Sequence, residues 1–350
     1  MAYRNTLLQN NIYVDSVNGN DATAVKYNLL HPYGTIAQAR TVATFGDTII
    51  VFPGSYLENL NLFKNGISYY FYPEAVVEST AAVPLFGPIA GEKCEVYGHG
   101  DFRNISIGGV VNSTAQGTLI MECNNIFAVS NPISTNDGFI DIKCYDIVCD
   151  NNAAINFLDS AFGVGDNYLL IKCNSILSNS FSGNNPTINN GTGGPGYDGR
   201  VHIEADKIYG SPNSDNRILF ADNFVVPFAR TTVEILCNEF VITDLTGSRE
   251  VLEFIFTDNT KWIIKGNLTI PSGNRVGLIT NFPNNNSEII FDGEITTDLG
   301  DAATLVGSNG IVRLNGKFKS NGTQTILVAS IPSKVYLDGE IINTEEAPPP

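Results

Sequence analysis

Gly98-His99-Gly100, the run Thr135-Asn136-Asp137-Gly138 with Asp141 beyond it, and six cysteines are the residues of this chain whose types could do chemistry. Hydrolysis of a glycosidic bond needs two carboxyl groups at a set separation, one of them holding a proton to donate. Asp137 and Asp141 offer carboxylates, but no Asp-Asp pair occurs anywhere. Cys94, Cys123, Cys144, Cys149, Cys173 and Cys237 include no Cys-x-x-Cys, and His31, His99 and His202 are far apart, so zinc has little support. Asp15 to Asp21 does not fit EF-hand spacing and reads as a turn. No Gly-x-Ser-x-Gly and no phosphate-cradling glycine loop is present. The expectation is a chain with no catalytic residues, no metal and no cofactor.

The strongest candidate for binding is a loop. Residues 178–199 read SNSFSGNNPTINNGTGGPGYDG, a long Gly/Asn excursion. Loops held by a rigid scaffold often carry recognition. Asn184, Asn185, Tyr197, Asp198 and Arg200 are the residues there that suit ligand or partner contact.

The scaffold is legible as a repeat. Twelve short segments align on one small residue: Pro53, Pro73, Gly100, Cys123, Cys144, Cys173, Ala205, Cys237, Gly266, Gly293, Gly316 and Gly339, at intervals of 20 to 32 residues. Four positions earlier stand Ile49, Tyr69, Val96, Leu119, Ile140, Leu169, Val201, Val233, Trp262, Ile289, Val312 and Val335, all apolar or aromatic. Two positions earlier, every residue but Gly98 is large and apolar. The position between is mostly polar, as in Glu122, Lys143, Lys172, Glu204, Lys265 and Asp292. In-out-in at period 2 is a strand with one buried face. Further apolar runs such as Leu252-Glu253-Phe254 supply a second strand per repeat. The pattern predicts an all-β solenoid of about twelve coils, roughly 53 Å long at ~4.8 Å per coil. It stacks Cys123, Cys144 and Cys173 in an interior column, with thiols acting as small core residues. It also pairs Glu122 with Lys143, Lys172 with Glu204 and Lys265 with Asp292 across coils.

Composition agrees. Hydrophobic residues make up 43% and charged residues 16%, enough to build a core and too apolar for disorder. The formal charge of −16 disfavours nucleic acid and anionic membrane as partners. The N-terminus has no apolar signal-peptide core and the chain no 18-residue apolar run. The cysteines are therefore expected to be reduced thiols. Residues 1–12 read as an arm suited to attachment, 13–344 as one domain, and 345–350 as a Pro-rich tail. Thr35 and Gln38 have capping-box spacing, and Ile36, Ala39 and Val42 share a face, which predicts a short lid helix near 35–43 before the first coil strand, Ile49–Phe52.

Tyr13-Val14-Asp15-Ser16-Val17-Asn18-Gly19-Asn20-Asp21, Pro32-Tyr33-Gly34-Thr35-Ile36-Ala37-Gln38-Ala39 and Gly46-Asp47-Thr48-Ile49-Ile50-Val51-Phe52-Pro53-Gly54-Ser55-Tyr56 resemble the opening of pectin-lyase-like proteins. The likeness is specific over 13–60; beyond that only the coil pattern carries it. It implies a right-handed parallel β-helix with a capping helix, but no single activity. That superfamily includes polysaccharide lyases and hydrolases, surface proteins, and viral tailspikes and fibres, many trimeric. Its hydrolases carry Asn-Thr-Asp, Asp-Asp, Gly-His-Gly and Arg-Ile-Lys in that order. Here Gly-His-Gly comes first and Arg-Ile-Lys is missing, so His99 reads as coincidence. Its lyases need a cation site of clustered acids beside a basic residue. Asp159, Asp166, Asp198, Asp206 and Asp215 near Arg200 and Arg217 read instead as solvated turn residues.

The leading expectation is a non-enzymatic phage virion protein: a tailspike, fibre or capsid-associated spike, assembled in the host cytoplasm, homo-oligomeric with a trimer favoured. It would contact other virion proteins or a host-surface glycan. The alternatives are a polysaccharide-degrading lyase or hydrolase, and an exported adhesion protein.

Overall fold

The computed structural model describes residues 10–113, 116–135, 138–157, 167–179, 186–190, 199–210, 218–222, 231–242, 251–255, 260–270, 277–282, 287–297, 303–307, 310–320, 326–328, 334–338 and 340–342. Within them the chain is a parallel β-helix. A first row of strands runs from Asn11–Val14 through Thr48–Val51, Ile67–Phe71, Lys93–Gly98, Thr118–Glu122 and Phe139–Lys143, each pairing in parallel with the next. A second row holds Gly54–Leu57, Ala75–Ser79, Asp101–Asn104, Asn125–Ala128 and Asp146–Cys149. From Asn167–Ser178 onward the two rows merge into single long strands, ending with Ile311–Ser320. Together they form a 19-stranded sheet, and a 9-stranded sheet from Val111–Ser113 to Ile326–Val328 forms the third row.

The alternation seen in the sequence builds the core. Leu119, Ile140, Leu169, Val201, Val233, Trp262, Ile289 and Val312 stack in register and are buried. Met121, Ile142, Ile171, Ile203, Ile235, Ile264, Phe291 and Leu314 do the same two residues on. Apolar columns at strand spacing exclude water along the whole stack, and that burial is the main stabilising term.

Three differences from the sequence reading stand out. The first coil strand is Asn11–Val14, one coil earlier than Ile49–Phe52 and partly within the segment read as an arm. Second, Val96 pairs with Met121 and not with Leu119, so all upstream coils sit two residues out of the aligned frame. A two-residue slip keeps every side chain on its own face, so apolar periodicity cannot detect it. Third, the apolar runs that the sequence offers as a second strand per repeat, such as Leu252-Glu253-Phe254, form the third row, and the second row is a further set of strands. In the first coils it follows a longer connection: Val51 to Tyr56 and Phe71 to Val77, against Cys123 to Ile126 later in the chain.

The ends are covered. The helix Ile36–Val42 buries Ile36 and Ala39 against the first two coils, and its N-cap Thr35 accepts from the Gln38 N–H, as the capping box requires. Glu58, from the second row, accepts the Ile36 N–H at 2.6 Å and the Ala37 N–H at 3.1 Å. At the other end of the helix the Lys64 ammonium donates to the carbonyls of Arg40 and Ala43. Beyond the last coil, Glu340–Ile342 turns back antiparallel on Lys334–Leu337 and blocks one open ladder.

Candidate functional site

From Gly98 to Gly293 the first and second rows meet at a tight corner, and a groove of about 960 Å³ follows it across eight successive coils. One wall carries the outward residues just before the corner: Glu122, Lys143, Lys172, Glu204, Leu236, Lys265 and Asp292. The other carries the residues just after it: Asn124, Tyr145, Asn174, Asp206, Asn238 and Asn267. The floor is the small-residue column Cys123, Cys144, Cys173, Ala205, Cys237, Gly266 and Gly293. At ~4.8 Å per coil the groove is roughly 34 Å long.

Small residues at the corner follow from backbone approach. Gly316 has φ +122, and a Cβ there would meet the Gly293 carbonyl oxygen at 2.1 Å. A Cβ on Gly293 would in turn lie 1.9 Å from the Gly266 oxygen. Cys123 and Cys237 are buried, while Cys144 and Cys173 are half-buried. The thiols therefore pack on the core from the corner and face the groove, where the sequence placed them wholly inside. Contact with Cys123, then burial, pushes the Cys144 thiol up against the pull of Cys173; contact with Cys144, then burial, pushes the Cys173 thiol up; and burial pushes Cys237 up to about 12. Protonated thiols are poor nucleophiles, which disfavours Cys144, Cys173 and Cys237 as thiolate nucleophiles near neutral pH.

The wall side chains are held. Lys172 reaches Glu204 at 2.7 Å and Lys265 reaches Asp292 at 3.9 Å, as the outward column predicted. Glu122 and Lys143 occupy the paired register. On the opposite wall Asn238 donates to Asp206 at 2.7 Å, Asn174 to Asp146 at 3.3 Å and Asn124 to Asp101 at 2.8 Å. Three lysines face four carboxylates in the groove, so it is close to neutral although the chain is strongly acidic. Aligned amides, carboxylates and ammonium groups present both donors and acceptors, which suits a hydroxyl-rich chain.

Of the residues singled out in the wide loop, Asn184, Asn185, Tyr197 and Asp198 lie outside the described residues. Arg200 is described: it is exposed, 3.3 Å from Glu234, which also meets His202 at 2.8 Å. That cluster lies on the outer face of the sheet, away from the corner groove. His99 lines the N-terminal end of the groove, beside Gly98 at φ +108. Asp206 is the one member of the acid set Asp159 to Asp215 in the described residues, and it lines the groove. Asp137 lies outside them. Asp15 and Asp21 serve turns: Asp15 accepts from Val17 and Asn18, and Asp21 from Gly34 and Thr35. Among the described residues no cluster of His, Cys, Asp or Glu is arranged to hold a metal ion. None of their helices is long and apolar enough to cross a membrane.

Sequence reading missed the groove, although its lining was visible as a column: position +1 after the small residue reads Asn124, Tyr145, Asn174, Asp206, Asn238 and Asn267. What it lacked was the bend that turns this column toward the charged one. Fold and groove define a parallel β-helix with a polar corner cleft. No protein-family model, curated protein or solved structure matches the chain significantly.

Proposed function

We infer that this chain is a non-enzymatic phage virion protein, a tailspike, fibre or capsid-associated spike, that displays a rigid β-helix and holds a host-surface glycan in its corner groove. One observation carries the reading: a continuous, nearly neutral cleft about eight coils long, walled mainly by amides on one side and by charges of both signs on the other. Cross-coil hydrogen bonds and ion pairs fix several of these side chains beforehand, so little rotamer freedom is lost on binding. Neutral polarity favours hydroxyls over phosphates. The resemblance of residues 13–60 to pectin-lyase-like proteins supports the same setting, and in that superfamily spikes and fibres are often trimers. Three copies side by side would multiply weak glycan contacts.

The test is binding to a panel of bacterial capsular and O-antigen polysaccharides by surface plasmon resonance. Asn174→Ala with Asn238→Ala removes two groove amides and is expected to weaken binding at least tenfold. Arg200→Ala, on the outer face, is expected to leave it unchanged. Equal binding by the groove variant, or loss only with Arg200→Ala, would move the site to the wide loop.

A further inference from the structure

Three cysteines on the groove floor belong to successive coils. The Cys123 N–H donates to the Lys143 carbonyl at 3.0 Å and the Cys144 N–H to the Lys172 carbonyl at 3.0 Å, so the three residues stack at ladder spacing. Strand spacing of ~4.8 Å puts successive Cα atoms inside the 4.4–6.8 Å window of a disulfide. Closing the bond needs the two Cβ atoms to move from about that spacing to ~3.8 Å.

Access selects the pair. All three line the groove floor, but Cys144 and Cys173 are half-buried, whereas Cys123 is buried at 7% exposure. We propose that Cys144 and Cys173 form a dithiol site that low-molecular-weight disulfides oxidise to a cross-coil disulfide, stapling two turns of the β-helix at the groove floor. In the first step the thiolate of one cysteine attacks a sulfur of the reagent disulfide. A mixed disulfide forms and one reagent thiolate leaves. The neighbouring cysteine then loses its proton and attacks the protein sulfur, releasing the second reagent thiolate. Two cysteine thiols are oxidised, one reagent disulfide is reduced to two thiols, and two protons pass to the released thiolates or to solvent. Both protein thiols are held in the protonated form, so exchange is slow near neutrality and faster in alkali. The staple is independent of the glycan reading.

Oxidised glutathione on the native, folded chain, with pH stepped upward from about 8.5 until exchange sets in, tests this. Trypsin cuts after Lys143, Lys172 and Arg200, which puts Cys144 and Cys173 on separate peptides, 144–172 and 173–200. The expected result is loss of two of the six free thiols, a fragment spectrum locating the Cys144–Cys173 bond, a monomeric band without reductant and a raised thermal midpoint. Cys144→Ser and Cys173→Ser each abolish the linked peptide, while Cys94→Ser, at a buried site elsewhere, leaves it. Glutathione caps on both cysteines without a link, a Cys123–Cys144 link, a link between chains, or six thiols surviving in the folded chain would each overturn the proposal.

Discussion

Glu58 is 2% exposed and ties the second row to the lid helix through two N–H groups. Burial drives its carboxyl up to about 7, against the pull of those two donors. A carboxyl whose folded value exceeds its ordinary 4.5 binds more protons in the fold than in the open chain. Its contribution to stability is therefore complete below pH 4.5 and is lost as pH rises through about 7. Asp47 runs the other way: burial would raise it, but Lys26, the Thr44 N–H and Tyr27 outweigh that and hold it below its ordinary 3.8. Its support is present above pH 3.8 and is lost on stronger acidification. Between pH 4.5 and 7, then, the pH slope of stability at this end belongs to Glu58. Denaturant midpoints followed by the emission of the one tryptophan, Trp262, which is fully buried, are expected to fall across that window. Glu58→Gln should flatten the slope; an unchanged slope would place its cause elsewhere.

At the scale of the element, the corner decides what the coil can present. From Cys123 to Cys237 a step of three residues carries the chain from one inward column to the next, and from Gly266 on, past the register shift after Leu236, a step of two does so; the outward residues on either side become groove walls. The glycine end of that column is sterically specified. Gly316→Ala adds a Cβ at φ +122 against the Gly293 oxygen, and the expected cost is about 1–3 kcal/mol, read as a lower urea midpoint at unchanged slope. Strand faces and core columns were legible in the sequence because burial imposes period 2 on every coil. The ion pairs Lys172–Glu204 and Lys265–Asp292 were legible for the same reason. Others were not: Glu288 bridges Lys261 and Arg313, and Glu294 meets Lys319, across coils whose lengths differ. Lys261 and Glu288 share the aligned register, but the contacts of Arg313 and Lys319 run diagonally to positions two residues along the neighbouring strand, which an in-line column does not show. The slip at Val96 and the leading strand Asn11–Val14 escaped for a related reason. The alternation is blind to shifts of two, and four residues before a helix carry too short a period to stand out. Glu58 was invisible because its partners are brought together only by folding.

At the scale of the whole molecule, the thirteen first-row strands among the described residues make a stack roughly 58 Å long at ~4.8 Å per coil. In such a stack the groove is continuous, because each coil it crosses is hydrogen-bonded to the next. The proposed spike predicts three rods side by side: light scattering should give about 113 kDa, three times the 37.8 kDa of the chain. A constant 37.8 kDa at high concentration would contradict the trimer. The central claim is display without cleavage, and the most direct measurement is the fate of a polysaccharide that the protein retains. After prolonged incubation with each retained capsular or O-antigen polysaccharide, the account predicts an unchanged polymer size distribution, no new reducing ends and no unsaturated sugar absorbance. Shortened chains with either new end group would contradict it and make the protein a hydrolase or a lyase.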